Sequence, residues 1–261
     1  MWKWEAEGEA KAVVGIVHGA YENHEYYAWF IERLRKNGFH IIAGDLPGHR
    51  IPKHIHKESF SSYMTYVEKL VKVCEAEQLP FFLLGHGLGG TLLLRLLQQD
   101  KVPCAGVILT SPWLSIEHPP ENATSLLSKI ASTIELDHRV DPKLVSRHAE
   151  HQMQMRNDPN YSPIVTAGWY RELQSVMKTI IYSERPFQNV PIALLVAGED
   201  HITDPEVVRS WLMKKKLDEI QFKKWTHLHH DIIQEPEREQ VYYYIEAFMH
   251  NVLRSLGYVI E

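Results

Sequence analysis

The sequence predicts an α/β fold: a mostly parallel sheet with helices on both faces and a helical cap inserted over one edge. Three observations carry this. Short apolar runs alternate along the chain with longer helical patterns. The runs are apolar throughout, with no polar residue at every second position, which marks strands buried on both faces. The alternation lapses between Pro112 and about Pro186, then resumes at Ile192.

In order, the first strand is expected at Val13–Val17, followed by a helix near Tyr26–Asn37 and a strand at Phe39–Gly44. Phe60–Gln78 has helical spacing and Phe81–Leu84 is the next strand. Leu88–Gln99 is helical again, and Gly106–Thr110 closes the first half. The lapse holds amphipathic pieces at Ser125–Leu136, Asp141–Glu150 and Trp169–Ile181, divided by turns such as "NDPNYSP", with no strand expected among them. Ile192–Ala197, Pro205–Lys215, Ile220–Trp225 and Pro236–Leu256 then follow as strand, helix, strand, helix. The organisation expected is a core in two parts, 1–111 and 187–261. Residues 112–186 form a cap over the C-terminal strand ends, where open α/β sheets bind ligands. Leu126, Leu127, Ile130 and Ile134 of the cap fit either a core or the lining of an acyl pocket.

Composition narrows the function classes. The 261 residues are 44% hydrophobic and 23% charged, with a net charge of −5, which is ordinary for a globular chain. No lysine–arginine run is long enough to track a phosphate backbone. The densest, Lys214-Lys215-Lys216, fits a helix C-terminus favoured by the macrodipole, so no nucleic-acid partner is expected. Cys74 and Cys104 lie among apolar residues and read as reduced core positions. No signal-peptide pattern opens the chain and no run approaches the ~20 apolar residues that span a bilayer. A cytoplasmic protein with no transmembrane segment is therefore expected. Nothing in the pattern sets an oligomeric state.

The stretch "FFLLGHGLGG", Phe81 to Gly90, leads a strand through a sharp glycine turn into a helix. That is the setting of the nucleophile elbow, G-x-S-x-G, yet position 87 holds glycine where serine belongs. The other parts of an acyl-transfer site each have a slot on a strand-end loop. The acid slot, after a late strand, offers Asp200; Asp204 precedes Pro205 and fits a helix N-cap better. The base slot, after the last strand, offers His227, His229 and His230. The oxyanion slot, after the first strand, offers the His18-Gly19-Ala20 turn, partnered by the N–H of Leu88.

With these residues in place the chain resembles the lysophospholipase and monoacylglycerol-lipase branch of the α/β-hydrolases, especially its Bacillus-type phospholipase members. The resemblance rests on "HGAYENHEYY" (18–27), "GDLPGH" (44–49), "FLLGHGLGG" (82–90), "TSP" (110–112), "TAGWYREL" (166–173), "AGEDHITD" (197–204) and "HHDIIQEPERE" (229–239), which cover nearly the whole chain in the family's order. It implies an α/β-hydrolase fold, with Asp200 as the acid, His230 as the base, and Ala20 and Leu88 as the oxyanion amides. It also implies a monoacylglycerol, lysophospholipid or small ester as substrate, no cofactor, no metal, and a cap that touches a membrane surface transiently. The sequence departs from the family at Gly87, where the nucleophile serine belongs. It departs again at "RIPKHIHKESF", which replaces a Gly- and Ser-rich loop.

Glycine accepts the strained elbow conformation without a Cβ penalty but removes the attacking oxygen. In a comparable triad enzyme, losing the serine lowers kcat by about 10⁶. Three readings stay open. One is a serine ester hydrolase, present here as a natural or engineered variant with its nucleophile lost and its activity crippled. The second is a natural pseudoenzyme acting as a lipid-binding or regulatory module. The third is a hydrolase in which His230 activates water directly. The cluster His227, His229, His230, Asp231 lacks a second group to complete a metal shell. As substitute nucleophiles, Cys74 and Cys104 occupy no turn at the active edge, and Ser111, close in topology after the next strand, has nothing that pairs it with His230.

Overall fold

The computed structural model describes residues 1–99, 101–120, 123 and 131–259. Its strands, in chain order, are β1 (Trp2–Trp4), β2 (Ala12–Val17), β3 (Phe39–Ala43), β4 (Phe81–His86), β5 (Gly106–Thr110), β6 (Glu135–Asp137), β7 (Ile164–Thr166), β8 (Ile192–Ala197) and β9 (Ile220–Trp225). Seven of them form one sheet in the order β1-β3-β2-β4-β5-β8-β9. Only β1 runs antiparallel to its neighbour; the other pairings are parallel.

Every residue of β2, β4, β5 and β8 is buried, as continuous apolar strands between two helical layers require. Helices lie on both faces. On one side a Cβ at Gly15 would collide with Cys74 of α2 (Phe60–Glu75) and with its sheet neighbour Leu83. On the other, Phe82 packs against Phe248 of the C-terminal helix Arg238–Ser255. Successive strand residues face opposite ways, so Leu83 and Phe82 place these helices across the sheet from each other.

The strand order places the site. The chain leaves β2 through α1 (Ala28–Lys36) towards β3 on one side, and leaves β4 through α3 (Gly87–Gln99) towards β5 on the other. Connections diverging from two adjacent parallel strands open a crevice at their C-terminal ends. The turns after β2 and β4, carrying Gly19-Ala20 and Gly87, flank that crevice.

The predicted core strands and helices are all present, with ends shifted by a few residues; β4, for example, continues to His86. Two expectations are corrected. Residues 112–186 were expected to hold no strand, yet β6 and β7 pair antiparallel through Leu136 and Val165. Each has three residues, too few for a period of two to show. β1, also three residues, was missed for the same reason. Of the piece expected at Ser125–Leu136, residues 125–130 lie outside the described residues and 135–136 belong to β6. The piece at Asp141–Glu150 divides into helix Pro142–Val145, N-capped by Asp141, and helix Ala149–Asn157. The third piece lies within helix Ala167–Tyr182, N-capped by Thr166. Lys214–Lys216 follow a helix that ends at Leu212.

Candidate active site

Gly87 is the hinge of the site. It sits at φ +48°, in the left-handed region that a β-carbon penalises. A Cβ built there would stand 3.3 Å from His230 Nε2, 3.3 Å from Trp113 Nε1 and 3.7 Å from the Cα of Gly19. Two residues on, a Cβ at Gly89 would lie 2.1 Å from the Val17 carbonyl, so glycine there lets α3 press against the end of β2. The spacing of the glycines thus follows from one strand–turn–helix geometry.

Asp200 lies in the turn after β8. Its Oδ1 accepts N–H bonds from Ile202 (2.8 Å) and Thr203 (3.0 Å), which fix the carboxylate. His230 Nδ1 is 3.0 and 2.9 Å from its two oxygens, with both side chains buried. Nδ1 therefore donates to Asp200, and Nε2 turns towards Gly87. There it meets the indole N–H of Trp113 at 3.0 Å. Indole nitrogen only donates, so this Nε2 carries a lone pair and no proton. Trp113 is itself held on the turn: its N–H donates to the Gly87 carbonyl (3.2 Å), and its carbonyl accepts from Thr91 Oγ1 (2.7 Å).

The opposite wall is the His18–Tyr21 turn. His18 Nε2 accepts the N–H of Leu46 (2.9 Å), so Nδ1 donates to the Gly19 carbonyl (2.7 Å). Burial lowers the His18 pKa to about 4, so the ring works as a neutral clamp. The Gly19 N–H is taken by Glu22 (2.9 Å). Ala20 lines the cavity above, and Leu88 is buried in the first turn of α3, where N–H groups have no carbonyl one turn earlier. The structure thus brings Gly87, Leu88, Ala20, Asp200 and His230 to one sheet edge. It leaves the other candidates elsewhere. Asp204 caps the helix Pro205–Leu212, exposed His227 faces Glu199, and His229 faces the Lys143 carbonyl. Ser111 is buried at φ +43° with its hydroxyl unpartnered. Burial pushes the thiols of Cys74 and Cys104 up to about 12.

Behind this edge lies a buried charged group that sequence reasoning did not foresee. His86 Nδ1 is 3.0 Å from both the carbonyl and the hydroxyl of Thr110, and its Nε2 is 2.5 Å from Asp231 Oδ1. Burial opposes charge on His86, but Asp231 and then Glu22 outweigh it and raise the pKa to about 9. The other Asp231 oxygen faces His151 Nε2 at 3.1 Å. Burial would raise the Asp231 carboxyl, yet His86 and His151 together hold it well below the carboxylate range. Glu22, buried and facing Asp231, is raised to about 7 despite hydrogen bonds from Tyr27 (2.8 Å) and Gly19. His86 stood in plain view as the x of G-x-G, but no local pattern links it to residues 145 positions away. Trp113 follows "TSP" with no signal of its own.

His86, His230 and Asp231 also bring three potential metal-ligand atoms within 4.8 Å of one another. Both ring nitrogens of each histidine already have partners, so neither ring offers a free lone pair. The cavity over the site, bordered by Ala20, Tyr21, Trp113, Val140, Met155 and His230, measures about 20 Å³. That is room for about one water, against the roughly 300–1,000 Å³ of a ligand pocket.

A mostly parallel sheet, with a strand–turn–helix at Gly87 and an aspartate and histidine paired on later strand-end loops, is the arrangement of the α/β-hydrolase fold. The chain belongs to the hydrolase family described as Serine aminopeptidase, S33, which matches residues 8–237. Phospholipase YtpA of Bacillus subtilis is 33% identical over 255 residues, covering 95% of this chain and 98% of that one. Monoglyceride lipase of Saccharomyces cerevisiae is 22% identical, covering 76% and 70%. The monoacylglycerol lipase of Paleococcus ferrophilus superposes with a TM-score of 0.82 at 24% identity, covering 97% of this chain and 98% of that one. A soluble variant of the yeast monoglyceride lipase superposes with a TM-score of 0.84 at 17% identity, covering 96% and 90%. At the level of the family, these relatives indicate a lipase- or esterase-type hydrolase.

Proposed function

We propose that this chain is a carboxylic-ester hydrolase of the monoacylglycerol or lysophospholipid type whose nucleophile is missing, so that in this form it barely turns over its substrate. The observation that carries the reading is at Gly87. The place of its absent Cβ is 3.3 Å from the Nε2 of a histidine whose other nitrogen Asp200 holds. A serine there would attack the ester carbonyl while His230 takes its proton and Asp200 stabilises the imidazolium. Amides of Ala20 and Leu88 would hold the oxyanion, and water would then release the acid. Residues 112–186 act as the cap in this reading. Val140 and Met155, which line the cavity, suit an acyl chain and would have to move apart to admit one. The reading keeps a cytoplasmic protein whose cap touches lipid surfaces. No helix among the described residues is long and apolar enough to cross a membrane.

The test is Gly87→Ser. The variant is expected to hydrolyse a p-nitrophenyl ester at least about 10³-fold faster than the parent chain and to react with a serine-directed phosphonate, given the ~10⁶ that a lost serine costs elsewhere. No gain, with an unchanged circular dichroism spectrum, overturns the proposal.

A second reading, a lipid-binding or regulatory module, is favoured by Trp113. Its indole gives His230 a donor where a serine hydroxyl would stand, so the base is satisfied without a nucleophile. That same bond argues against direct activation of water by His230, because the lone pair that would take the proton is engaged.

A further inference from the structure

Between β3 and α2 runs a loop with three histidines that the acid–base pair does not use. His54, His56 and Glu58 each place a ligand atom within 4.8 Å of the others. The rings of His49 and His54 lie 4.5 and 5.3 Å from that of His56, centroid to centroid.

Hydrogen bonds fix which ring nitrogens carry protons. His56 Nε2 meets the Ser162 carbonyl at 3.1 Å, and a carbonyl only accepts, so the proton is on Nε2 and the lone pair on Nδ1. His49 Nδ1 meets the Pro47 carbonyl at 3.2 Å, which leaves its lone pair on Nε2. Both lone-pair nitrogens, His56 Nδ1 and His49 Nε2, are buried without a hydrogen-bond partner. A buried acceptor left unmatched costs about 1–3 kcal/mol, and native proteins leave few of them. The one on His56 belongs to the cluster with His54 and Glu58. Metal-binding histidines have this arrangement, in which the non-ligating N–H is given to a backbone carbonyl and the other nitrogen points at the ion. Glu58 is equally well seated. Its carboxyl occupies the space a Cβ on Gly48 would need and accepts the Lys57 N–H (3.1 Å), while Oε1 meets His54 Nε2 at 2.8 Å.

We propose that His54, His56 and Glu58 form a binding site for a divalent transition metal of the zinc type, with the His49 ring packed against that of His56. Imidazole nitrogens with one carboxylate suit Zn²⁺, whereas Mg²⁺ and Ca²⁺ take shells of oxygen. On binding, the His54–Glu58 hydrogen bond gives way to two metal bonds, and the ring proton of His54 moves to its other nitrogen. The ion would clamp the loop where it is already laced to β7: the His56 N–H donates to Ile164, and its carbonyl accepts from Thr166 (both 2.9 Å). The His56 ring also lies 5.3 Å from that of Tyr21, beside Ala20 at the cavity. Such a site departs from the expectation of no metal and does not depend on the reading of Gly87.

The experiment titrates the full chain, stripped with chelator, with Co²⁺ and then with Zn²⁺. One equivalent of Co²⁺ is expected to give the visible d–d bands of an ordered nitrogen–oxygen shell, Zn²⁺ to displace it, and Tm to rise with Zn²⁺. His54→Ala and Glu58→Gln, both on a surface loop, should each weaken binding on the order of 10-fold or more. His227→Ala should leave binding unchanged. Absence of the bands, affinity unchanged in both loop variants, or loss of binding in His227→Ala overturns the proposal.

Discussion

His230 and His86 lie with ring centroids 4.9 Å apart, each bonded to a buried aspartate, and differ in what their remaining nitrogen faces. His230 donates to Asp200 through Nδ1 and offers Nε2 as a lone pair to Trp113. His86 is held by Asp231 at Nε2 and by Thr110 at Nδ1, acceptor oxygens on both sides that make both nitrogens donors. The first ring therefore keeps a lone pair on its outer nitrogen, and the second carries a proton on both nitrogens. A histidine–aspartate pair can take up a proton only where its outer nitrogen keeps a lone pair. With acceptors on both sides, the same pair becomes a buried ion pair that sets the local structure.

Exchanging the effects of the two aspartates would break this comparison. In the Gly87→Ser background, Asp200→Asn should lower kcat by about 10⁴, as loss of the orienting carboxylate does in serine proteases. It should move the urea midpoint little, because an amide oxygen can still accept the turn N–H bonds. Asp231→Asn should instead destabilise by about 3–5 kcal/mol, since it leaves His86 charged and buried beside an amide. Equal stability losses in the two variants would mean that the pairs are not distinct.

Smaller is the pH effect. The His86 pKa rises from 6.5 to about 9 on folding, so its contribution is fully present below pH 6.5 and is lost as pH rises through about 9. Glu22, at about 7 against an ordinary 4.5, acts in the same direction over a lower window. The urea midpoint should fall between pH 6.5 and 9, and His86→Gln should flatten that fall. A midpoint that rises over this range would contradict a charged His86.

The smallest effect concerns Trp113. In Gly87→Ser, the serine hydroxyl and the indole compete for one lone pair on His230. Removing the indole donor with Trp113→Phe should then raise ester hydrolysis about five-fold, the equivalent of one hydrogen bond of ~1 kcal/mol. A drop in rate would instead make Trp113 a support of the ring.

The elbow was legible because its constraints are local: Phe81–Leu84 is apolar at every position and Gly87 and Gly89 mark a turn where side chains collide. Asp200 could be placed from its distance to a strand end. His230 could not be separated from His227 and His229 by local pattern, because which of three neighbouring rings points inward depends on where Asp200 lies. Trp113, Glu22 and His151 were not found at all, since each acts through a partner far along the chain. The three-residue strands β1, β6 and β7 escaped because their pairing holds them, and no periodicity of their own does.

The sequence by itself determined the mostly parallel sheet and the glycine at position 87 of its strand–turn–helix turn. These follow from apolar runs, glycine spacing and the identity of one residue. Only the tertiary structure decided which histidine keeps a lone pair and which is a cation, and that an indole N–H meets that lone pair. Those outcomes depend on burial and on whether a nitrogen meets a donor or an acceptor, and the fold sets both by bringing distant residues together.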